Sequence, residues 1–234
     1  DTGLNIAHDC NLACKYGFAS QGDYGGVKRE LMSFDVAKRA VDFLIQMSGT
    51  RQHCEIDFFG GEPLLNWDVV KQTVEYIEQE APKHNKIFKL TLTTNGMLLS
   101  QEKIDYVNEH KMSLVLSLDG REDVHNAMRP VAGSGANSYE YIAKNLVNAV
   151  KQRHGLEYYV RGTYTHKNLD FTKDVLAMSD LGFEHLSMEP VVGEEGDYVL
   201  REEDWPTLEK EYEKLADIYL QRQKDGCGEK FNFF

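Results

Sequence analysis

"CEIDFFGGEPLLNWDVVKQTVEYIEQEA", residues 54–81, holds one strand, one turn and one helix in a single stretch. Cys54 to Phe59 supply branched and aromatic side chains over a short run and read as a strand. From Trp67 onward, Val70, Val74 and Ile77 recur at helical spacing and form one apolar face. Between them "GGEPLLN" places paired glycines, an acid and a proline where the chain must turn at the strand's C-terminal end. The stretch is a β–turn–α unit.

The same unit recurs along the chain. "LNIAH" (4–8), "FKLTLTT" (88–94), "MSLVLSL" (112–118), "EYYVRGTY" (157–164) and "HLSMEPVV" (185–192) read as further strands. Their apolar content with little strict alternation predicts strands covered on both faces. "SFDVAKRAVDFLIQMS" carries Val36, Ala37, Ala40, Val41, Leu44 and Ile45 on one stripe, with Ser33 as its cap. "YEYIAKNLVNAVKQR" repeats the pattern with Ile142, Leu146 and Val150, and "DFTKDVLAMSDLG" stops at Gly182. A final charged helix, roughly 202–223, buries Leu208, Tyr212, Leu215 and Tyr219. Six such units predict an α/β protein with a parallel sheet and right-handed crossovers. Either an open doubly wound sheet or an incomplete barrel satisfies this pattern, and both gather chemistry at the C-terminal strand ends. The segment "DGREDVHNAMRPVAGSGANS" (119–138) reads as a long irregular loop of the kind that carries function or moves.

Bulk properties narrow the function classes. At 234 residues the chain can bury a sizeable core, and 41% hydrophobic with 27% charged residues is ordinary for a globular protein. A net charge of −12, with both signs mixed along the sequence, argues against a nucleic-acid partner. No apolar run is long enough to cross a bilayer and no signal-like segment opens the chain, so no membrane partner is expected. The start at Asp1 and the end at "KFNFF" suggest a piece of a longer protein. Four cysteines, Cys10, Cys14, Cys54 and Cys227, are too few for a disulfide scaffold and point to a reducing, cytoplasmic setting.

Candidate chemistry falls at successive strand ends. Cys10 and Cys14 follow the first strand; they are soft ligands for zinc, copper or an iron–sulfur cluster, or else two ordinary buried thiols. Gly60 and Gly61 let backbone approach a ligand, Glu62 accepts from an ammonium and Pro63 fixes the turn, although a plain glycine turn has the same composition. Thr94 and Asn95 can form a turn or bond a ligand's hydroxyls. Ser117 and Asp119, two apart on one face, suit a ribose diol or merely cap loops. Arg161, inside a strand, needs an anion: a ligand carboxylate or an acid on a neighbouring strand. His125 and Arg129 in the long loop are weaker candidates that could simply order it.

Together these motifs resemble the radical SAM enzymes. That family's signature is CxxxCxxC, with an aromatic residue before the last cysteine and GGEP after the next strand. It is similar to Cys10-Asn-Leu-Ala-Cys14-Lys-Tyr16-Gly17 and Gly60-Gly61-Glu62-Pro63 here. The resemblance covers nearly the whole chain and implies a six-unit (β/α) partial TIM barrel over residues 1–200. Residues 201–234 would form a C-terminal helix and a linker towards a further extension. It also implies a 4Fe–4S cluster and S-adenosylmethionine as cofactors, together generating a 5′-deoxyadenosyl radical. By resemblance, Cys10 and Cys14 are cluster ligands and Tyr16 packs beside the adenine. Gly60 to Pro63 receive the methionyl amine, Ser117 and Asp119 the ribose, and Arg161 the carboxylate.

More narrowly, "LNIAHDCNLACKY", "IDFFGGEPLLNWD" and "LTTNGMLLS" look like peptide-modifying members with a SPASM-type extension, close to maturases that form thioether cross-links. That implies a precursor peptide as substrate and a low-potential electron donor as partner. One departure stands out: Gly17 occupies the place of the third cysteine and carries no donor. Little or no radical chemistry is then expected of this chain. The rival expectation is a cluster-free module that binds S-adenosylmethionine without catalysis; an unrelated α/β enzyme or zinc protein is a third.

Overall fold

The computed structural model describes residues 1–17, 29–193 and 195–233. Among these residues, seven strands form one sheet in the order of the chain: β1 (Thr2–Ala7), β2 (His53–Gly60), β3 (Ile87–Thr94), β4 (Ser113–Ser117), β5 (Tyr158–Tyr164), β6 (His185–Pro190) and β7 (Asn232–Phe233). Every neighbouring pair is parallel. A doubly wound sheet reverses its strand order at a switch point. No reversal occurs here, so the incomplete barrel is the architecture. β1 and β7 lie at opposite edges, and the sheet stays open.

Among the described residues, seven α-helices lie between the strands: α1 (Phe34–Met47), α2 (Trp67–Glu80), α3 (Gln101–Glu109), α4 (Glu122–Met128), α5 (Tyr139–Lys151), α6 (Thr172–Asp180) and α7 (Trp205–Lys224). Right-handed crossovers that always advance in one direction put the helices on one face of the sheet. The core is therefore one layer. Leu4, Ile6, Ile56, Phe58, Leu90, Leu92, Leu114, Leu116, Val160 and Leu186 point from the strands into it. They meet Val41, Val74, Ile77, Ile104, Leu146 and Val175 from the helices. Ser33 caps α1 by accepting from the Val36 N–H at 3.4 Å, and Gly182 past the end of α6 takes φ 93°.

Four expectations need correction. The strands are not uniformly covered on both faces: burial alternates residue by residue along β2 and β5, whereas β4 and β6 each bury three residues in a row. Residues such as Asn5, Glu55, Asp57, Thr91, Thr93, Ser117 and Arg161 therefore line an open, polar concave face. The segment 119–138 is not wholly irregular, since α4 occupies its first half. Val36 is exposed, outside the α1 stripe of Ala37, Val41 and Ile45. Finally, the closing apolar run supplies β7, whose Asn232 and Phe233 pair with His185 and Leu186. Among the described residues, no helix is long and apolar enough to cross a membrane.

The two faces make a direct prediction. Leu92→Lys, on the helix side, buries an unpaired ammonium and should cost at least about 4 kcal/mol in urea unfolding. Thr91→Lys, one residue away on the concave side and opposite Asp57 in register, should change stability by less than about 1 kcal/mol. Equal losses at both positions would show that the inner face is packed.

Candidate functional site

After Ala7 the chain crosses the C-terminal ends of the strands as a loop carrying Cys10 and Cys14. It is tied to the segment behind α4: Ala13 N–H donates to Pro130 O at 2.8 Å, Lys15 N–H to Met128 O at 2.9 Å, and Ala132 N–H to Asn11 O at 3.0 Å. Leu12, wholly buried, bridges to Val131. On its other side the loop rests on the glycine turn. Gly61 N–H donates to Ala7 O and Glu62 N–H to Asp9 O, each at 2.9 Å. A Cβ on Gly61 would lie 2.2 Å from Asp9 O, and one on Gly60 would lie 2.5 Å from Ala7 O. These glycines therefore permit close approach of the cysteine loop itself.

Glu62 is fully buried and joins the ends of β2 and β3. Its carboxylate accepts from Leu64 N–H at 3.0 Å, Thr94 Oγ1 at 2.8 Å and Asn95 N–H at 2.8 Å. Burial pushes this carboxyl up, against the pull of those bonds. Pro63 begins the short helical turn that follows. The Asn95 side-chain amide then donates to Asn11 Oδ1 at 2.8 Å and lies 3.8 Å from Cys10 Sγ. Leu12 N–H also faces Cys10 Sγ at 3.5 Å.

Asp119, fully buried past the end of β4, is the second carboxylate tie. It accepts from Arg129 Nε at 2.9 Å and Nη2 at 3.1 Å, from Thr163 N–H at 3.0 Å and from the Tyr16 hydroxyl. Burial opposes its charge, but the Arg129 guanidinium beside it holds the carboxyl below the usual range. The same guanidinium lies 5.3 Å from the centre of the Tyr16 ring. His125 is buried beneath: Asp119 N–H donates to its Nδ1 at 3.3 Å and Nε2 faces Ser138 Oγ at 3.1 Å. Burial drives the imidazole down to about 4, so it is neutral near pH 7.

Above these ties lies a cavity of about 260 Å³. Cys10, Cys14, Tyr16, Gly17, Gly60, Gly61, Thr94, Asn95, Ser117 and Arg161 all line it, together with Arg129, Thr163, Glu189 and Val191. Glu62, Pro63 and Asp119 do not; their groups are spent one layer below. Arg161 forms an ion pair with Glu189 on the neighbouring strand β6 while remaining on the cavity wall. Several wall residues were not forecast as binding groups. Arg129 read as a loop-ordering residue, whereas Thr163, Glu189 and Val191 were not singled out. Period-two counting from Arg161 to Thr163 is the signal that finds one of them.

The wall's ligand chemistry is soft on one side. Burial raises the Cys10 thiol to about 12 and also raises Cys14, which the Arg129 charge pulls back down. Gly17 completes the same wall without a side chain. Its backbone is unstrained, and among the described residues an added Cβ would touch Cys14 alone, with O at 3.4 Å and Cβ at 3.7 Å. The donors present thus fit an iron–sulfur cluster at two positions, Cys10 and Cys14, while Gly17 offers no ligand atom. The polar and cationic groups opposite fit an amino acid joined to a ribose. A separate group, His166, Glu203 and Asp204, brings three metal-binding side chains together outside this wall. There the His166 Nδ1 is 2.8 Å from Asp204, and Asp204 also accepts from Arg201 N–H.

Residues 4–175 match the Radical SAM superfamily. The chain is 32% identical over 123 residues to the cysteine-type anaerobic sulfatase-maturating enzyme of Clostridium perfringens, covering 51% of this chain and 32% of that one. It is 25% identical over 154 residues to the radical SAM cyclopropyl synthase TigE of Paramaledivibacter caminithermalis, covering 61% of this chain and 31% of that one. The solved structure of native anSMEcpe with bound AdoMet and Kp18Cys peptide superposes with a TM-score of 0.83 at 22% identity, over 99% of this chain and 62% of that one. This chain therefore spans about a third of the two curated relatives it matches here. Radical SAM homologues use a 4Fe–4S cluster and S-adenosylmethionine. On the match across 4–175, which is most of its length, the chain belongs to the radical SAM superfamily.

Proposed function

We propose that this chain is the core of a radical SAM peptide maturase of SPASM type, acting on a precursor peptide with thioether cross-linking as its chemistry. Residues 1–200 supply six strands of its barrel, and residues 201–234 add α7 and β7 ahead of a further extension. The observation that carries the reading is one cavity wall on which Cys10 and Cys14 stand with Asn95, Ser117 and Arg161 at successive strand ends. The likeness to an anaerobic sulfatase maturase and to a fold that holds AdoMet with a peptide supports it.

When bound, a 4Fe–4S cluster would supply one electron, drawn from a low-potential donor, for the reductive cleavage of S-adenosylmethionine to methionine and a 5′-deoxyadenosyl radical. The residues of this chain do the rest by position. Cys10 and Cys14 would hold iron, Gly60 and Gly61 would receive the methionyl amine, and Thr94 and Asn95 would bond ligand hydroxyls. Ser117 takes a ribose hydroxyl, Arg161 the carboxylate, and Tyr16 the adenine side. Glu62 and Asp119 act through these residues: one fixes the β3 end, the other the tyrosine of the cysteine loop. A second reading, a module that binds S-adenosylmethionine without a cluster, is favoured by one observation: Gly17 offers no third donor.

Anaerobic loading with iron and sulfide separates the two. Gly17→Cys, reduced in the presence of S-adenosylmethionine, should release 5′-deoxyadenosine at least about 100-fold faster than the parent chain, a barrier difference near 2.7 kcal/mol. A fully loaded variant that cleaves nothing would sink the maturase reading. Equal ligand binding by both chains with no cluster in either would support the binding module.

Wall residues and ties should part company as well. Arg161→Gln and Ser117→Ala should each weaken S-adenosylmethionine binding about tenfold, roughly 1.4 kcal/mol, with the melting temperature unchanged. Asp119→Ala, leaving Arg129 buried without its partner, should cost about 3–5 kcal/mol of stability in urea unfolding. Intact binding in Arg161→Gln would remove that residue from the site.

A further inference from the structure

Beneath the cavity wall the inner face of the sheet opens into a second cavity of about 960 Å³, and we propose that it receives a basic side chain of the peptide, with Asp57 as the acceptor. The inference rests on the peptide reading above and adds a specificity subsite to it. Glu55, Asp57, Lys89, Thr91 and Tyr159, drawn from β2, β3 and β5, line this lower space. Asp57 stands where the two cavities meet. Its carboxylate is 3.2 Å from Thr93 Oγ1, and Thr93 already lines the upper cavity. Phe59, two residues further along β2, lines the upper cavity as well. At about 3.3 Å of rise per residue, Asp57 lies about 7 Å below it, within reach of a lysine or arginine stem entering from above.

Charge complementarity names the occupant. The basic groups of this face are committed to other partners: Lys89 to Glu157 at 2.6 Å and Arg161 to Glu189. Arg153, buried on the same wall, donates to the Asn108 side chain and to the carbonyls of Met112 and Glu157. Among the described residues Asp57 has no ion-pair partner, and the side chain that bonds it is the neutral Thr93 hydroxyl. Burial raises its carboxyl to about 6, and neither that hydroxyl nor the charge of Arg161 offsets the rise. A half-buried carboxylate in this state gains from a cation. Glu55, two residues down the same face of β2, adds a second acid below it. Tyr159 supplies an aromatic group: it enters the same space from β5, is 37% exposed and lies within electrostatic reach of Asp57. A basic side chain held there meets a carboxylate and an aromatic ring together.

The test titrates the full, isotope-labelled chain with two acetylated and amidated pentapeptides, Gly-Gly-Lys-Gly-Gly and Gly-Gly-Gln-Gly-Gly, following the backbone amides of Asp57 and Thr93 by NMR. The lysine peptide should bind about tenfold more tightly than the glutamine peptide, and Asp57→Asn should bring the two within about twofold. Thr91→Lys places an ammonium opposite Asp57 in register and should abolish the preference in the same way. Should Asp57→Asn fail to fold, Thr91→Lys decides alone. Equal affinities in the parent chain, or no response of these amides to either peptide, would overturn the subsite. A preference that survives in either folded variant would overturn it too, because the cation then binds elsewhere. The shift of melting temperature with S-adenosylmethionine separates this outcome from the wider reading. A parent chain that prefers lysine but shows no such shift keeps the subsite and loses the cofactor reading; one that shifts but does not discriminate loses the subsite alone.

Discussion

A carboxylate buried at the end of β4 sets the geometry on which the site depends. Asp119 binds one residue from each of three separate parts of the chain: Tyr16 of the cysteine loop, Arg129 behind α4 and the backbone of Thr163 in β5. Burying a charge this deeply is unfavourable unless every lone pair is used. Here the requirement becomes a positioning device, because satisfying Asp119 means bringing those three segments together. The cysteine loop forms little secondary structure of its own, so its shape is imposed from outside. Arg129 adds to this by lying over the Tyr16 ring while its Nε and Nη2 hold the acid.

Glu62 repeats the logic on the other side. Its oxygens are committed to Leu64, Thr94 and Asn95, so the turn after β2 and the end of β3 move as one body. The glycines before it have a steric role: with any side chain, Gly61 would collide with the backbone of Asp9. Both acids thus lie one layer beneath the cavity, and the groups on its wall are those they orient. Removing such an acid is expected to act first on folding and only through that on ligands, whereas Ser117 and Arg161 meet the cavity directly.

Much of this was legible in the residues. Period 3.6 marked α1, α2, α5, α6 and α7, and the strand cores of β1 to β6 stood out by composition. Glycine, proline and small polar clusters marked the strand ends where chemistry collects. The concave face was misread because Glu55–Ile56–Asp57–Phe58 alternates for only a few residues before the apolar pair Phe58 and Phe59 hides the period. The wall role of Arg129 was not legible, since its meaning comes from Asp119 ten residues earlier, across a helix the sequence did not announce. Glu189 has the same difficulty. Its partner Arg161 lies on the neighbouring strand, and only register joins them.

An open sheet of this kind leaves the polar inner face in the path of whatever reaches the cavity. Arg161 shows how that face is balanced: its charge is met by Glu189, so it can stay on the wall without an external anion. Deeper in, Asp57 has the Thr93 hydroxyl at 3.2 Å, and burial raises its carboxyl to about 6. Arg161 and Asp57 are thus each partnered within the protein, and the main apolar cluster lies on the helix side. Gly17 stands on the wall, outside the buried ties, so a changed residue there alters what the cavity can hold without loosening what holds the cavity.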